Sequence, residues 1–274
     1  MMPIDAETSL YGIIGHPVRH SLSPIIQNLA FTSYNINAVY LAFEVTELSG
    51  AIKGVKALGI KGLSVTIPHK INIMSFLDEI DIMAQKIGAI NTVVNRDGYL
   101  LGFNTDWLGA LLSLKEKTEI KGKRFVILGA GGAARAIAFG LKKEGAEIII
   151  VNRTYEKGCA LAKEINAHAF PWEKLPVLAG DVLINTTPIG MWPEIDTSPV
   201  DEKVLAKFEL VMDTVYRPLK TKLLQMAEKM GCNTIGGLKM LIYQGAEQFR
   251  LWTKKEPPVE KMLKVAEKFL EKEN

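Results

Sequence analysis

Apolar and polar positions alternate along this chain with two periods, one close to 2 and one close to 3.6, and the period switches repeatedly. Residues 10–14 form a short apolar run that reads as a strand, closed by Gly15-His16-Pro17. The loop through Val18-Arg19-His20-Ser21-Leu22 then leads into a helical pattern. Ser23 suits its N-cap, Pro24 its first helical position, and Ile25, Ile26, Leu29, Ala30 and Phe31 its apolar face. A strand at 39–45, a helix at 48–58 ending at Gly59 and a strand at 63–67 broken by Pro68 follow. From His69 and Lys70 the pattern predicts a helical region to about residue 86, and residues 90–95 and 99–103 read as hairpin arms around Asp97-Gly98. Strands alternating with helices in this way predict a first α/β domain.

A helix over 104–112, opened by Asn104-Thr105-Asp106, bridges to the most regular part of the chain, Arg124 to Lys157. There a β-branched run, Phe125-Val126-Ile127-Leu128, reads as a buried parallel strand. It passes directly into Gly129-Ala130-Gly131-Gly132-Ala133-Ala134, the G-x-G-x-x-G/A spacing with alanine in third place. Gly129 permits a tight turn, Gly131 lets backbone approach a pyrophosphate, and Ala134 lets the helix pack closely on the strand. A helix ending at Gly145 and a strand at 147–151 complete a βαβ unit, the context that gives this otherwise weak motif its meaning. The second strand ends in Asn152-Arg153-Thr154, with Lys157 a turn later and no acid before Glu156. An acid there would bind a ribose 2′-OH; Arg153 presents a planar fork to a 2′-phosphate instead, and Thr154 can both cap the next helix and donate to it, so the expected cofactor is NADP. Strands at 182–185 and 210–212 extend the sheet, followed by a helix at 219–230 and a strand at 233–235. Residues 167–178 read as loop with a short helix. The last helices, 238–252 and 259–270, have no strand after them and are expected to return to the first domain.

Composition narrows the class. The 274 residues suffice for two domains, and 48% apolar with 23% charged residues is the balance of a soluble globular protein. A formal charge of +3, unclustered, gives no argument for nucleic acid. Cys159 and Cys232 lie far apart and match no disulfide or zinc pattern, which fits a reducing, cytoplasmic location. The opening residues lack the basic and apolar regions of a signal peptide, and no apolar stretch approaches the roughly 20 residues that span a bilayer. His16 and His20 stand four apart but in a Pro-containing loop, and no Cys or carboxylate set completes a tetrahedral site, so no metal is expected.

Polar clusters stand at predicted strand ends and helix starts, where open α/β sheets hold their ligands. His20-Ser21-Leu22-Ser23-Pro24, Val65-Thr66-Ile67-Pro68-His69-Lys70, Gly88-Ala89-Ile90-Asn91-Thr92 and Asn104-Thr105-Asp106 resemble motifs of the shikimate dehydrogenase family. So do Gly129 to Ala134, Asn152-Arg153-Thr154, Asn185-Thr186-Thr187-Pro188 and Gly236-Gly237-Leu238 through Gln244, in the family's order and over most of the chain. The resemblance implies reversible NADPH-dependent reduction of 3-dehydroshikimate to shikimate, in chorismate and aromatic amino-acid biosynthesis. It makes Lys70 and Asp106 the catalytic pair. An amine and a carboxylate on one hydroxyl can orient it and pass its proton. The resemblance also gives Ser21 and Ser23 the substrate carboxylate, and Thr66, Asn91, Tyr216 and Gln244 the rest of the ring. Thr214 and Gly237 come to lie near the nicotinamide, with Gly129, Ala130, Gly131, Gly132, Ala133, Asn152, Arg153, Thr154 and Lys157 along the rest of the dinucleotide. The chain departs from the family at Ser64, where asparagine is common; serine is shorter and lacks an amide donor.

The expected fold is thus α/β with two domains. A substrate domain spans 1–105 plus 240–274, and a Rossmann-type doubly wound NADP-binding domain spans 106–239. The expected partners are small molecules only, without nucleic acid or membrane, and the expected assembly is a monomer or homodimer. Two rivals remain: a quinate/shikimate dehydrogenase using either nucleotide, and a non-catalytic NADP-binding sensor, which would have no use for Lys70 and Asp106.

Overall fold

The first apolar run and its neighbours build one mixed sheet. β1 (Ser9–Gly15), β2 (Ala38–Glu44) and β3 (Gly62–Val65) are parallel. α1 (Ser23–Ser33) and α2 (Leu48–Ala57) lie between them in sequence. β4 (Glu79–Ile80), α3 (Ile82–Ile87), β5 (Thr92–Arg96) and β6 (Tyr99–Phe103) complete the order β2-β1-β3-β5-β6-β4. β5 runs antiparallel to β3 and β6. Asp97 and Gly98 turn the β5–β6 hairpin with φ of 51° and 94°, the left-handed geometry that an Asp-Gly pair tolerates. Ile14, Leu63, Ile73, Ile90, Val93 and Leu100 form the core beneath this sheet. The computed structural model describes residues 4–272.

Residues 69–86 do not form the helix that their apolar spacing predicts. They form a 3-10 segment, Asn72–Phe76, then β4 and the short α3, which Asp81 caps through Met83 N and Ala84 N. Ile71 and Ile82, which complete the helical pattern, are more than half exposed, so the period rested on side chains that are not in the core. Ser23 is not the N-cap of α1 either. Leu22 holds that position and Ser23 is the first helical residue, its N–H donating to Ser21 Oγ at 3.2 Å.

The second sheet is parallel throughout, in the order β12-β11-β10-β7-β8-β9. α4 (Asp106–Lys115) precedes β7 (Arg124–Leu128), α5 (Gly132–Lys143), β8 (Glu147–Asn152) and α6 (Tyr155–Glu164). β9 (His168–Pro171), β10 (Val182–Asn185), α7 (Glu202–Leu205), β11 (Leu210–Asp213), α8 (Lys222–Lys229) and β12 (Asn233–Ile235) follow. The strand order reverses between β7 and β10, the switch point at which doubly wound sheets take their ligands. Strand residues alternate between two cores. Phe125, Ile127, Ile184 and Met212 face one, and Val126, Leu128, Leu183 and Val211 the other, as a sheet covered on both faces requires.

Three further expectations are corrected in this sheet. Residues 168–171, read as loop, form the edge strand β9 paired to β8, ahead of the 3-10 turn Trp172–Val177. A four-residue edge strand ending in proline carries almost no period. The helix expected from residue 219 begins at Lys222, because the Thr221 side chain accepts from Leu224 N and so caps it. The single-turn α7 was not foreseen.

α9 (Gly237–Thr253) and α10 (Val259–Glu271) end the chain. The chain divides into two units, one of residues up to Thr105 with Gln244–Phe269 and one of Asp106–Tyr243 with the residues from Leu270, so the division falls inside α9.

Candidate active site

In the first unit the polar side chains at the ends of β3 and β5 are bonded to one another. Tyr40 OH donates to Ser64 Oγ at 2.6 Å, and Ser64 donates to Gln248 Oε1 at 2.7 Å. Gln248 Nε2 donates to Asn91 O at 3.0 Å and to Thr92 Oγ at 3.1 Å. Asn91 Nδ2 donates to Thr105 Oγ at 2.9 Å and Gln244 Oε1 at 3.2 Å, while its Oδ1 accepts from Thr105 N at 2.8 Å and Thr92 Oγ at 2.7 Å. These groups are buried, so their mutual bonding is what makes the arrangement affordable. Gln244 and Gln248 are one turn apart on α9 and present their amides together. Ser64 lacks an amide, but its hydroxyl joins Tyr40 to Gln248. Burial, opposed only by hydroxyl hydrogen bonds, pushes the Tyr40 phenol well above its ordinary range, so it stays neutral and donates.

Thr66, His69 and Lys70 follow β3 on a turn pinned at several points. Thr66 N donates to Ile14 O at 3.0 Å, and His69 N donates to Thr66 O at 2.9 Å. His69 Nε2 donates to Val45 O at 2.7 Å, and Lys70 O accepts from Ile90 N at 2.7 Å. His69 therefore fixes the backbone beside Lys70. Ser21 is half-buried and Ser23 is 3% exposed at the start of α1.

In the second unit, Gly129 leaves β7 at φ +114°, a conformation L side chains rarely adopt. A Cβ there would collide with Thr186 Oγ, which donates to Leu128 O at 2.6 Å. Two residues on, Gly131 is the exposed N-cap of α5. It makes no side-chain cap, and space is open where its Cβ would stand. The first-turn N–H groups of Gly132 and Ala133, together with the helix dipole, offer donors to an anion, with Ala130 beside them. This glycine-lined opening at the switch point fits a dinucleotide pyrophosphate.

At the end of β8, Asn152 Nδ2 donates to Thr154 O at 2.8 Å and shapes the turn that bears Arg153. Thr154 is the N-cap of α6 but does not cap with its side chain. Arg153 and Lys157 are exposed, and among the described residues neither forms an ion pair. Arg135 on α5 is held by Glu164 at 2.5 Å. At the end of β11, Thr214 N donates to Asn185 O at 2.9 Å and Gly237 N to Val215 O at 3.3 Å. A Cβ on Gly237 would strike Thr214 O. Tyr216 is half-buried on the same loop. Asp106 opens α4 in this unit and is 6% exposed.

The sequence reading missed Tyr40 and Thr105 as members of these networks. Thr105 stood inside a recognised motif; Tyr40 had no motif to mark it. Among the described residues no group of three or more His, Cys, Asp or Glu is arranged to hold a metal ion. His16 Nδ1 instead lies 3.2 Å from Glu44 Oε1 at the surface.

Comparison with known proteins follows the same lines. The model for the shikimate dehydrogenase substrate binding domain matches residues 13–93. That for shikimate / quinate 5-dehydrogenase matches 112–189, and that for the shikimate 5′-dehydrogenase C-terminal domain matches 237–267. A shikimate dehydrogenase (NADP+) of Methanocaldococcus jannaschii is 50% identical over 272 residues, covering 94% of this chain and 96% of the relative. A crystal structure of a shikimate dehydrogenase in complex with NADP+ superposes with a TM-score of 0.92 at 49% identity, covering 98% of both chains. The Thermus thermophilus enzyme in complex with NADP(H) and shikimate superposes with a TM-score of 0.89 at 37% identity, covering 95% of this chain and 99% of that one.

Proposed function

The chain belongs to the shikimate dehydrogenase family, and we infer that it catalyses the reversible NADP-dependent reduction of 3-dehydroshikimate to shikimate, a step of chorismate and aromatic amino-acid biosynthesis. The observation that carries this reading is the pairing, in one chain, of an open anion-accepting turn answered by Arg153 in place of an acid with a buried network that presents short polar groups around Asn91 and Gln244.

In this reading the unit containing Asp106–Tyr243 holds the cofactor and the other holds the substrate. The N–H groups after Gly129, from Ala130 to Ala133, take the pyrophosphate, and Asn152, Arg153, Thr154 and Lys157 take the adenosine 2′-phosphate. Thr214 and Gly237 flank the nicotinamide, and NADPH bound there supplies the hydride. Ser21 and Ser23 hold the substrate carboxylate with hydroxyl donors, while Thr66, Asn91, Tyr216 and Gln244 bind its hydroxyls. Lys70 and Asp106 act on the reacting oxygen. In reduction, protonated Lys70 gives that oxygen its proton, and Asp106 accepts a hydrogen bond from the hydroxyl so formed; in oxidation Asp106 orients that hydroxyl and its proton returns to Lys70. The enzyme works on small molecules in the cytoplasm, as a monomer or homodimer. Two free cysteines support a reducing compartment. Among the described residues no helix is long and apolar enough to cross a membrane.

The test is nicotinamide absorbance followed with shikimate or quinate, each with NADP or NAD. Turnover confined to shikimate with NADP is expected. Comparable rates with quinate or NAD would move the protein to a broader specificity, and silence in all four with NADP still bound would remove the catalytic reading.

A further inference from the structure

β11 ends in a carboxylate that has no cationic partner among the described residues and no exposure. Asp213 is 0% exposed, and its Oδ1 accepts from Val215 N at 3.0 Å and Asn185 Nδ2 at 3.0 Å, its Oδ2 from Thr221 Oγ at 2.7 Å. All three donors are neutral. A buried carboxylate in such a place is a costly way to fill space, since an apolar side chain would pack the strand end without desolvating a charge. What an apolar side chain could not do is set the path of two loops. Val215 N turns back toward Oδ1, which pins the residue whose carbonyl, in the next peptide, accepts from Gly237 N. Asn185, held by the same oxygen, turns its own Oδ1 to Thr187 N and Thr187 Oγ at 3.0 and 2.7 Å. We propose that Asp213 is a positioning residue for the nicotinamide side of the site, holding the Thr214–Tyr216 loop and Gly237 in register. The proposal rests on the function assigned above.

The Arg153 turn after β8 makes no hydrogen bond to Asp213 or to its partners Asn185, Val215 and Thr221, so the 2′-phosphate side of the cofactor is held independently of it. Two observations support a role in geometry over a role for the charge itself. Burial pushes the Asp213 carboxyl up to about 6 in spite of its three donors, so the charge itself is held there at a cost. Thr221 Oγ can also reverse from donor to acceptor, which lets a neutral group at position 213 keep all three contacts. An asparagine carbonyl would accept from Val215 and Asn185 while its NH2 donates to Thr221.

The experiment uses the full-length protein and compares Asp213→Ala with Asp213→Asn in kcat with shikimate and NADP, and in the Kd for 2′,5′-ADP, a probe of the adenosine side alone. Asp213→Ala is expected to lower kcat about tenfold or more while the Kd for 2′,5′-ADP stays within about twofold; Asp213→Asn should recover kcat to within about threefold of the wild type. Weakening of 2′,5′-ADP in step with kcat would make Asp213 a support of the whole sheet and overturn the proposal. An unchanged kcat in Asp213→Ala would overturn it too, as would an Asp213→Asn as impaired as the alanine variant. Should Asp213→Ala not fold, Thr221→Val, which removes the Oδ2 donor at similar volume, takes its place. A loss of kcat with 2′,5′-ADP unaffected is again expected, and no loss refutes. Wild-type silence with shikimate and NADP would instead defeat the functional reading beneath the proposal.

Discussion

Ser64 donates its hydroxyl proton to Gln248 Oε1 at 2.7 Å across 184 residues of sequence, and so ties β3 to α9 within the first unit. Ser64→Ala removes the acceptor of Tyr40 OH and the donor to Gln248 Oε1, so two buried polar groups lose this partner. It should cost about 1–3 kcal/mol, read as a lower denaturant midpoint with an unchanged slope. A variant as stable as the wild type would mean that water or a neighbour replaces the hydroxyl.

Lys70→Ala should bind NADP normally yet lose about a hundredfold or more of kcat, since its ammonium acts on the substrate oxygen. Steady-state rates beside a direct NADP titration check this; an unchanged kcat would remove Lys70 from the mechanism.

Arg153→Ala should raise the KM for NADP by about tenfold or more and leave weak use of NAD almost unaltered, because only the former carries the 2′-phosphate. Equal effects on both nucleotides would defeat that assignment.

Gly129→Ala forces a side chain into a left-handed position and against Thr186 Oγ, which must then release Leu128 O. The backbone cost alone is about 1–2 kcal/mol. Affinity for NADP should drop well before affinity for shikimate does, measurable by calorimetry with each ligand.

Asp213 also gives stability a pH dependence of unusual sign. Its carboxyl rises from 3.8 to about 6 on folding, with burial as the main cause. Between these values the folded state keeps a proton that the unfolded state has lost, so stability falls as pH rises through the window and the full penalty is present above about 6. At about 1.4 kcal/mol per pH unit the penalty reaches at most about 3 kcal/mol. Asp213→Asn lacks it. Urea unfolding at several pH values should show the variant gaining on the wild type from acid to neutral pH, and parallel curves would contradict this.

Much of the site was legible because its residues mark places where backbone changes direction. The Gly129–Ala134 turn and the Asp97-Gly98 hairpin were each read from local rules and lie where those rules put them, while the helix read from residue 104 starts at Asp106. Residues 69–86 were not legible, because the exposed Ile71 and Ile82 imitate a helical stripe that packs on nothing. Nor was the hydroxyl chain of Tyr40, Ser64 and Gln248, whose links span 24 and 184 residues and leave no local period. Asp213 stands just past the strand read at 210–212 and carries no motif; only its burial and three donors distinguish it.

That α9 contributes to both units limits how this gene could be recombined. A segment ending near Thr105 would carry Ser64, Asn91 and Thr92 without the two glutamine amides that satisfy them, and Gly62 without the Trp252 indole beside it. The substrate unit is therefore not a cassette that a single crossover can move. Exchange between relatives must carry α9 along with the first hundred or so residues, and an insertion of one residue between Gln244 and Gln248 would turn their amides about 100° apart, so that both could no longer meet Asn91. Length in this helix should be far more constrained than its exposed side chains.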